Sequence, residues 1–411
     1  MNTIENSTSS FNGKLVAFVI SLFLIVFPFA IAFPDVFDDS SQMDRVQNWT
    51  LFICTLLFLG SYRRGFNIRI LAIHILLLFV YIINYMFAYF SNTSWLLNSF
   101  AFLSFSLMFS HIFLNCNEVL IRRLDHYVNF LVLSISFALI IMFYWGAIFI
   151  PDYFNLSYER NIIINEFNAK FGLYKQTFGY LFSLIIIWNF VYWGVMSPRR
   201  KAVFIVLAFA ATPIFLGIRT SILGLCLLFL LINIGKNYLT FALVLSSLLM
   251  IWPSVIYSDD LMILIELFYD RLPSVKFGFD QLSSFGVGNG GYHFYAAEFS
   301  DALFNKYASG IMLLHGGFWV APESDLAYFM ASFGFLSIVF LMLYLYIINN
   351  GLKAIDYYKI RGYRIFVVIL LYFILLIFEG ISEDYAGHAG WWIYLSASIG
   401  LVSRLNLRNK V

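Results

Sequence analysis

Residues 70–90, ILAIHILLLFVYIINYMFAYF, contain no charged side chain. At about 1.5 Å per residue, a helix of that length matches the ~30 Å hydrocarbon core of a bilayer. Comparable apolar runs lie at about 15–33, 47–60, 95–115, 127–150, 176–197, 202–217, 220–235, 238–256, 325–349, 363–379 and 391–403, giving twelve candidate helices. The second, seventh, eighth and twelfth are short for a full crossing. The 411 residues are 61% hydrophobic and 12% charged, with a mean hydropathy of +0.83. A soluble domain carries about 25% charged residues, so an ordinary cytosolic protein is excluded. The expected fold is an all-α polytopic membrane protein of about twelve transmembrane helices with one large outer loop.

The charges supply an independent test of this plan. With the N-terminus inside, the inner segments hold 17 of the 25 basic residues, among them Lys14, Arg63, Arg64, Arg122, Arg123, Arg199, Arg200, Lys201, Lys236 and Arg361. The outer segments hold 19 of the 23 acidic residues, including Asp35, Asp38, Asp39 and Asp44. Cytoplasmic loops are enriched in Lys and Arg, so both termini are placed inside. The chain then divides into residues 1–256 with nine helices and short loops, an outer loop at 257–324, and residues 325–411 with three more helices. Residues 202–235 are read as a hairpin of two shallow helices turning near Gly217. The run from Leu15 is read as a retained first span and not as a signal peptide. Within the large loop, Gly286–Gly291 reads as a flexible turn, and 259–271 and 296–312 as short interfacial helices.

Chemistry is sought on the outer side. Arg219, at the hairpin turn, is a candidate because arginine near membrane depth normally faces a polar cavity or a partner; the plain alternative is snorkelling at the interface. Arg160 and Arg271 stand in outer loops ahead of glycines, and guanidinium forks bind diphosphate oxygens bidentately. His293, His315 and His388 are external, whereas His74 and His111 fall within spans and are expected to pack between helices. Glu323 and Asp325 mark the return to the membrane, with Glu379, Glu383 and Asp384 beside the last outer hairpin. For Glu323, general-base catalysis and helix capping stay equally open. Trp319, Tyr292, Phe294 and Tyr295 offer aromatic faces beside polar residues. Cys54, Cys116 and Cys226 lack metal-ligand spacing, so no metal is expected. No Walker A, HExxH or nucleophile-elbow sequence occurs, which argues against an ATPase, a metalloprotease or a serine hydrolase.

The arrangement resembles the Wzy-type O-antigen polymerases, which are related to the O-antigen ligases. The likeness rests on the twelve-span plan, the dominant late outer loop and three segments: Arg219-Thr220-Ser221, Phe285-Gly286-Val287-Gly288-Asn289-Gly290, and Pro322-Glu323-Ser324-Asp325-Leu326 followed by Phe333-Gly334-Phe335-Leu336. Arg160 to Gly172 and Arg271 to Gly286 depart from the arginine-to-glycine spacing of about sixteen often seen in the family. Glu323-Ser324, standing where ligases place histidine and asparagine, favours a polymerase over a ligase. The resemblance implies a multi-pass protein of the bacterial inner membrane. It further implies periplasmic glycosyl transfer between undecaprenyl-diphosphate-linked oligosaccharides during lipopolysaccharide biosynthesis, with no cofactor. Glu323 or His293 would be the base, and Arg219, Arg271, Arg160 and His315 would bind substrate. Its partners would be membrane lipid and a polysaccharide chain-length regulator, with no nucleic acid. A ligase, or a lipid-linked oligosaccharide flippase or other transporter, is the alternative.

Overall fold

The computed structural model describes residues 11–25, 67–87, 93–148, 175–203, 205–206, 225, 228, 294–295, 311–314, 319–322, 325–380 and 389–408. These residues are mostly helical. The helices are α1 (Phe11–Ile25), α2 (Ile68–Phe87), α3 (Thr93–Asn115), α4 (Glu118–Ile148), α5 (Lys175–Tyr192), α6 (Asp325–Phe333), α7 (Ser337–Ile360), α8 (Arg364–Glu379) and α9 (Ala389–Arg408). The candidate spans at 47–60 and 238–256, and nearly all of 202–217 and 220–235, lie outside the described residues.

Two helix starts follow from asparagine. The Asn67 side-chain oxygen accepts from the N–H groups of Arg69 at 3.0 Å and Ile70 at 3.3 Å, and that of Asn117 accepts from Leu120 at 2.8 Å. Each satisfies backbone donors that a first helical turn leaves without an intrahelical partner. The Asn117 cap starts α4 nine residues before the expected apolar run, so its first turns are charged. Between α3 and α4 the chain bends by 113°.

The α2 surface reverses the pattern of a helix in water. His74 and Asn84 are buried, while Ile75, Phe79 and Met86 are 55%, 58% and 67% exposed. The stretch from Gly334 through α7 also exposes large apolar side chains, at Phe335, Ile338 and Met342. Such helices put polar groups toward one another and apolar groups toward lipid. Among the described residues, α2 and Gly334–Ile360 are each long and apolar enough to cross a membrane, and the bent α3–α4 pair adds a third if it counts as one span. The two histidines in these helices are hydrogen-bonded at both ring nitrogens. His74 Nδ1 donates to the Ile70 carbonyl and Nε2 accepts from the Ser106 hydroxyl, both at 2.8 Å. His111 Nδ1 donates to Leu107 O at 2.7 Å, and Nε2 accepts the Asn67 N–H at 2.8 Å. Both histidines therefore tie helices together, as expected.

Every residue of α8 from Ile365 to Glu379 is buried. A helix that is apolar on all sides belongs in the middle of a bundle, and α5, α7 and α9 pack around it. The last helix, α9, packs most extensively on α3. Ser396, Gly400 and Arg404 recur at intervals of four and share one face of α9. Ser110 Oγ donates to Ser396 O at 2.8 Å. At Gly400 an added Cβ would overlap the Ser110 carbonyl oxygen and lie 2.9 Å from Phe113 Cβ. One turn further, buried Arg404 donates to Cys116 O at 2.6 Å and lies over the Phe366 ring, 5.6 Å from its centroid. Small residues that let two backbones touch are the usual basis of helix association in lipid.

Two features differ from the sequence reading. The expected single helix from 325 is broken: Gly334–Leu336 form a 3₁₀ turn with Gly334 at φ 55°, a left-handed conformation open to glycine at little cost. Phe329, Phe333 and Phe340 close on each other across the break, with centroids 4.5 Å apart for Phe329–Phe340 and 4.7 Å for Phe333–Phe340. The segment expected to form the large loop also contributes strands, which an all-helical plan lacks: β1 (Phe294–Tyr295), β2 (Ile311–Leu314) and β3 (Trp319–Pro322) form an antiparallel sheet in the order β1-β3-β2. Ile311 and Met312, expected at the end of an interfacial helix, instead pair with Pro322 and Ala321. The rest of 296–312, and 259–271, lie outside the described residues.

The α3–α9 seam gives a direct test. Gly400→Val is expected to lower stability by about 1–3 kcal/mol through overpacking. Ser110→Ala should lower it by roughly 0.6 kcal/mol, the typical worth of an interhelical hydrogen bond in lipid. Thermal unfolding of the detergent-purified protein reads both, and equal effects would contradict backbone contact at Gly400.

Candidate functional site

Two acids are buried where helices of the bundle end. Asp325 opens α6 and Glu379 closes α8, and each is 1% exposed. Their elements are tied by the backbone, since Asp325 N–H donates to Gly380 O at 2.8 Å. Asp325 Oδ2 accepts from the Tyr344 hydroxyl at 3.3 Å, and that hydroxyl accepts from Trp391 Nε1 at 2.8 Å. A relay thus runs from α9 through α7 to the first residue of α6. Glu379 Oε1 accepts from Ser183 Oγ at 3.2 Å, which brings α5 into the same cluster. A Cβ at position 380 would overlap Asp325 Oδ2, so only glycine leaves room for this carboxyl group.

Burying a carboxylate is costly unless donors surround it. Tyr344 and Ser183 supply donors here. An aspartate in the first turn of a helix is also favoured by the helix dipole, which accounts for Asp325 as a structural residue. Chemically, a carboxylate held in this way can accept a hydroxyl hydrogen bond from a ligand or carry a proton. Asp325 and Glu379 were both visible in the sequence as outer acids, but their spacing of 54 residues gave no sign that the start of α6 meets the end of α8.

The β-sheet lies directly before this cluster in the chain. Its register pairs Phe294 with Val320, Tyr295 with Trp319, Ile311 with Pro322, and Leu314 with Trp319. The antiparallel pairing puts the start of β1 and the end of β3 at the same end of the sheet, with the end of β2 at the other. β3 also touches α6. Of the residues expected to act, Arg160, Arg219, Arg271, His293, His315 and Glu323 all lie outside the described residues, as do His388, Glu383 and Asp384. His293 immediately precedes β1, His315 follows β2, and Glu323 falls in sequence between Pro322 of β3 and Asp325 of α6.

A second polar group lies where α4 and α5 meet. The Tyr192 hydroxyl donates to Asp125 Oδ1 in a very short contact, and Asn189 Nδ2 bonds back to Ile185 O at 2.7 Å. It joins two helices and is explained by packing. No group of three or more His, Cys, Asp or Glu residues suited to a metal occurs among the described residues.

The relay through Tyr344 predicts energetic coupling. In a double-mutant cycle of Tyr344→Phe and Trp391→Phe, the coupling is expected to be about 0.5–1.5 kcal/mol, since both variants remove one shared hydrogen bond. Additive losses in thermal unfolding would mean that the bond contributes nothing. No family model matches this chain, and neither does any curated protein or solved structure.

Proposed function

We propose that this chain is an O-antigen polymerase of the bacterial inner membrane, with twelve spans and both termini cytoplasmic. It joins undecaprenyl-diphosphate-linked oligosaccharides on the periplasmic side. The observation that carries the reading is the three-stranded sheet. The chain enters it at Phe294 and leaves it at Pro322 at one end, and the residues next in sequence are His293 and Glu323. In sequence, His293 directly precedes β1, and Glu323 directly follows β3, two residues ahead of the buried acid that opens α6. His315, a candidate for substrate binding, is next in sequence after β2.

The chemistry suits these residue types. A diphosphate leaving group needs no nucleotide, and Arg219, Arg271 and Arg160 neutralise the charge that develops on it. Glu323 or His293 takes the proton from the acceptor hydroxyl as the glycosidic bond forms. The buried Asp325 and Glu379 stand where the start of α6, which β3 touches, is tied to the end of α8. Both stand at helix termini, whereas carriers commonly place such charges in mid-helix, and this favours an enzyme over a flippase.

Deletion of the gene should leave lipopolysaccharide with core plus a single repeat unit on a gel, whereas loss of a ligase or flippase leaves bare core. Glu323→Gln, at unchanged protein abundance, should reproduce the deletion, because removing a positioned base typically costs about 100-fold to 10,000-fold in rate. Glu323→Asp should keep part of the activity. Normal polymer in Glu323→Gln would transfer the role of base to His293, and bare core in the deletion would refute polymerase function.

A further inference from the structure

Helices α1 and α4 pack along one another, and Phe18 meets Tyr127 edge-on with centroids 5.7 Å apart. Beside this contact is a cavity of about 540 Å³ lined by Lys14 of α1 and by Glu118, Arg122, Arg123, His126 and Tyr127 of α4. The fold, and not sequence adjacency, makes this group, since Lys14 lies more than a hundred residues from Arg122. Lys14 and Arg122 are exposed and Arg123 is half-buried. Glu118 is the one acid of the lining, and its Oε1 already accepts from the Tyr363 hydroxyl at 3.1 Å. Two neighbouring guanidinium groups and an ammonium provide the forked and point-charge donors that phosphate oxygens take.

The surroundings of the cavity are apolar. Val119, which also lines it, is 43% exposed; Leu15 and Phe18 on the neighbouring turns of α1 are 50% and 37% exposed. A free phosphate has no use for such a rim, whereas the acyl chains of a lipid do. The excess of basic residues on the segments at Lys14 and at Arg122–Arg123 places both on the cytoplasmic side. Basic pockets between helices on that side are suited to anionic headgroups. We propose that this cavity seats the phosphate headgroup of an anionic lipid of the cytoplasmic leaflet, with its chains lying against Leu15, Phe18 and Val119. This inference rests on the inside placement of the α1 and α4 starts and is independent of the glycosyl-transfer reading.

Native mass spectrometry of the full-length protein tests it, with phosphatidylglycerol, phosphatidylcholine and inorganic phosphate as separate probes. Phosphatidylglycerol should be retained about tenfold or more over phosphatidylcholine, and an equal concentration of inorganic phosphate should not displace it. The triple variant Lys14→Gln, Arg122→Gln, Arg123→Gln should lose that preference. Arg122→Gln alone, which alters one exposed side chain, should reduce it in the same direction while the protein remains folded. Arg199→Gln with Arg200→Gln, an exposed basic pair that does not line the cavity, should leave it unchanged. Equal retention of the two lipids by the wild type would overturn the proposal, as would an undiminished preference in the triple variant or an equal loss in the Arg199 and Arg200 control. Displacement by inorganic phosphate would overturn the lipid as occupant.

Discussion

Where α9 crosses α3, the Gly400 Cα rests against the Ser110 backbone, with Ser396 one turn before it and Arg404 one turn after. Apolar side chains gain little by leaving lipid for one another, so close backbone packing and shared hydrogen bonds must supply the association. This seam joins the last helix to a helix some three hundred residues earlier, and the position of α9 then sets much else. Tyr394 Oη reaches the Leu24 carbonyl at 2.6 Å and fixes α1. Tyr358 Oη reaches Leu401 O at 2.8 Å and fixes α7. Trp391 holds Tyr344, which holds Asp325. The buried acid at the start of α6 therefore depends on a contact made two turns or more away along α9.

Among the described residues, apolar runs coincide with helices, because a bilayer permits few other backbone conformations. The run expected at 363–379 is α8, which begins at Arg364, and that expected at 95–115 is α3, which begins at Thr93. Ends were less legible where polar residues continue a helix: α7 runs to Ile360, past Asn349, Asn350, Lys353 and Asp356, whose side chains are exposed or half-buried. The break at Gly334 falls inside an expected single span, because hydropathy alone runs straight through it. The strands were illegible, since each is four residues or fewer and their pairing is set by contacts distant in sequence.

Arg404 shows why buried polar groups were harder to find. In the sequence it reads as one more inner basic residue near the end of a span. In the fold it is buried and satisfies carbonyl oxygens at the end of α3, at Phe113 and Cys116. A buried carbonyl left without a partner costs about 1–3 kcal/mol, so a donor at this helix end is favourable. Asp325 and Glu379 are similar. Both were recognised as outer acids, yet their partners Tyr344, Trp391 and Ser183 carry no sequence signature, because the cluster forms only after five helices are packed. His74 and His111 were legible because a histidine inside an apolar run has few alternatives to pairing with a neighbouring helix.

The proposed glycosyl transfer draws on Glu323, which lies in sequence between β3 and the buried Asp325, and on His293, which directly precedes β1. The most direct measurement is the reaction itself. The full-length protein, purified and reconstituted into vesicles with an undecaprenyl-diphosphate-linked oligosaccharide, should convert it into a ladder of longer lipid-linked polymers without added metal or nucleotide. Undecaprenyl diphosphate should be released in step with each bond formed. If the lipid-linked oligosaccharide is only moved between leaflets, with no product longer than one unit and no released diphosphate, the chain is a carrier and the account is wrong.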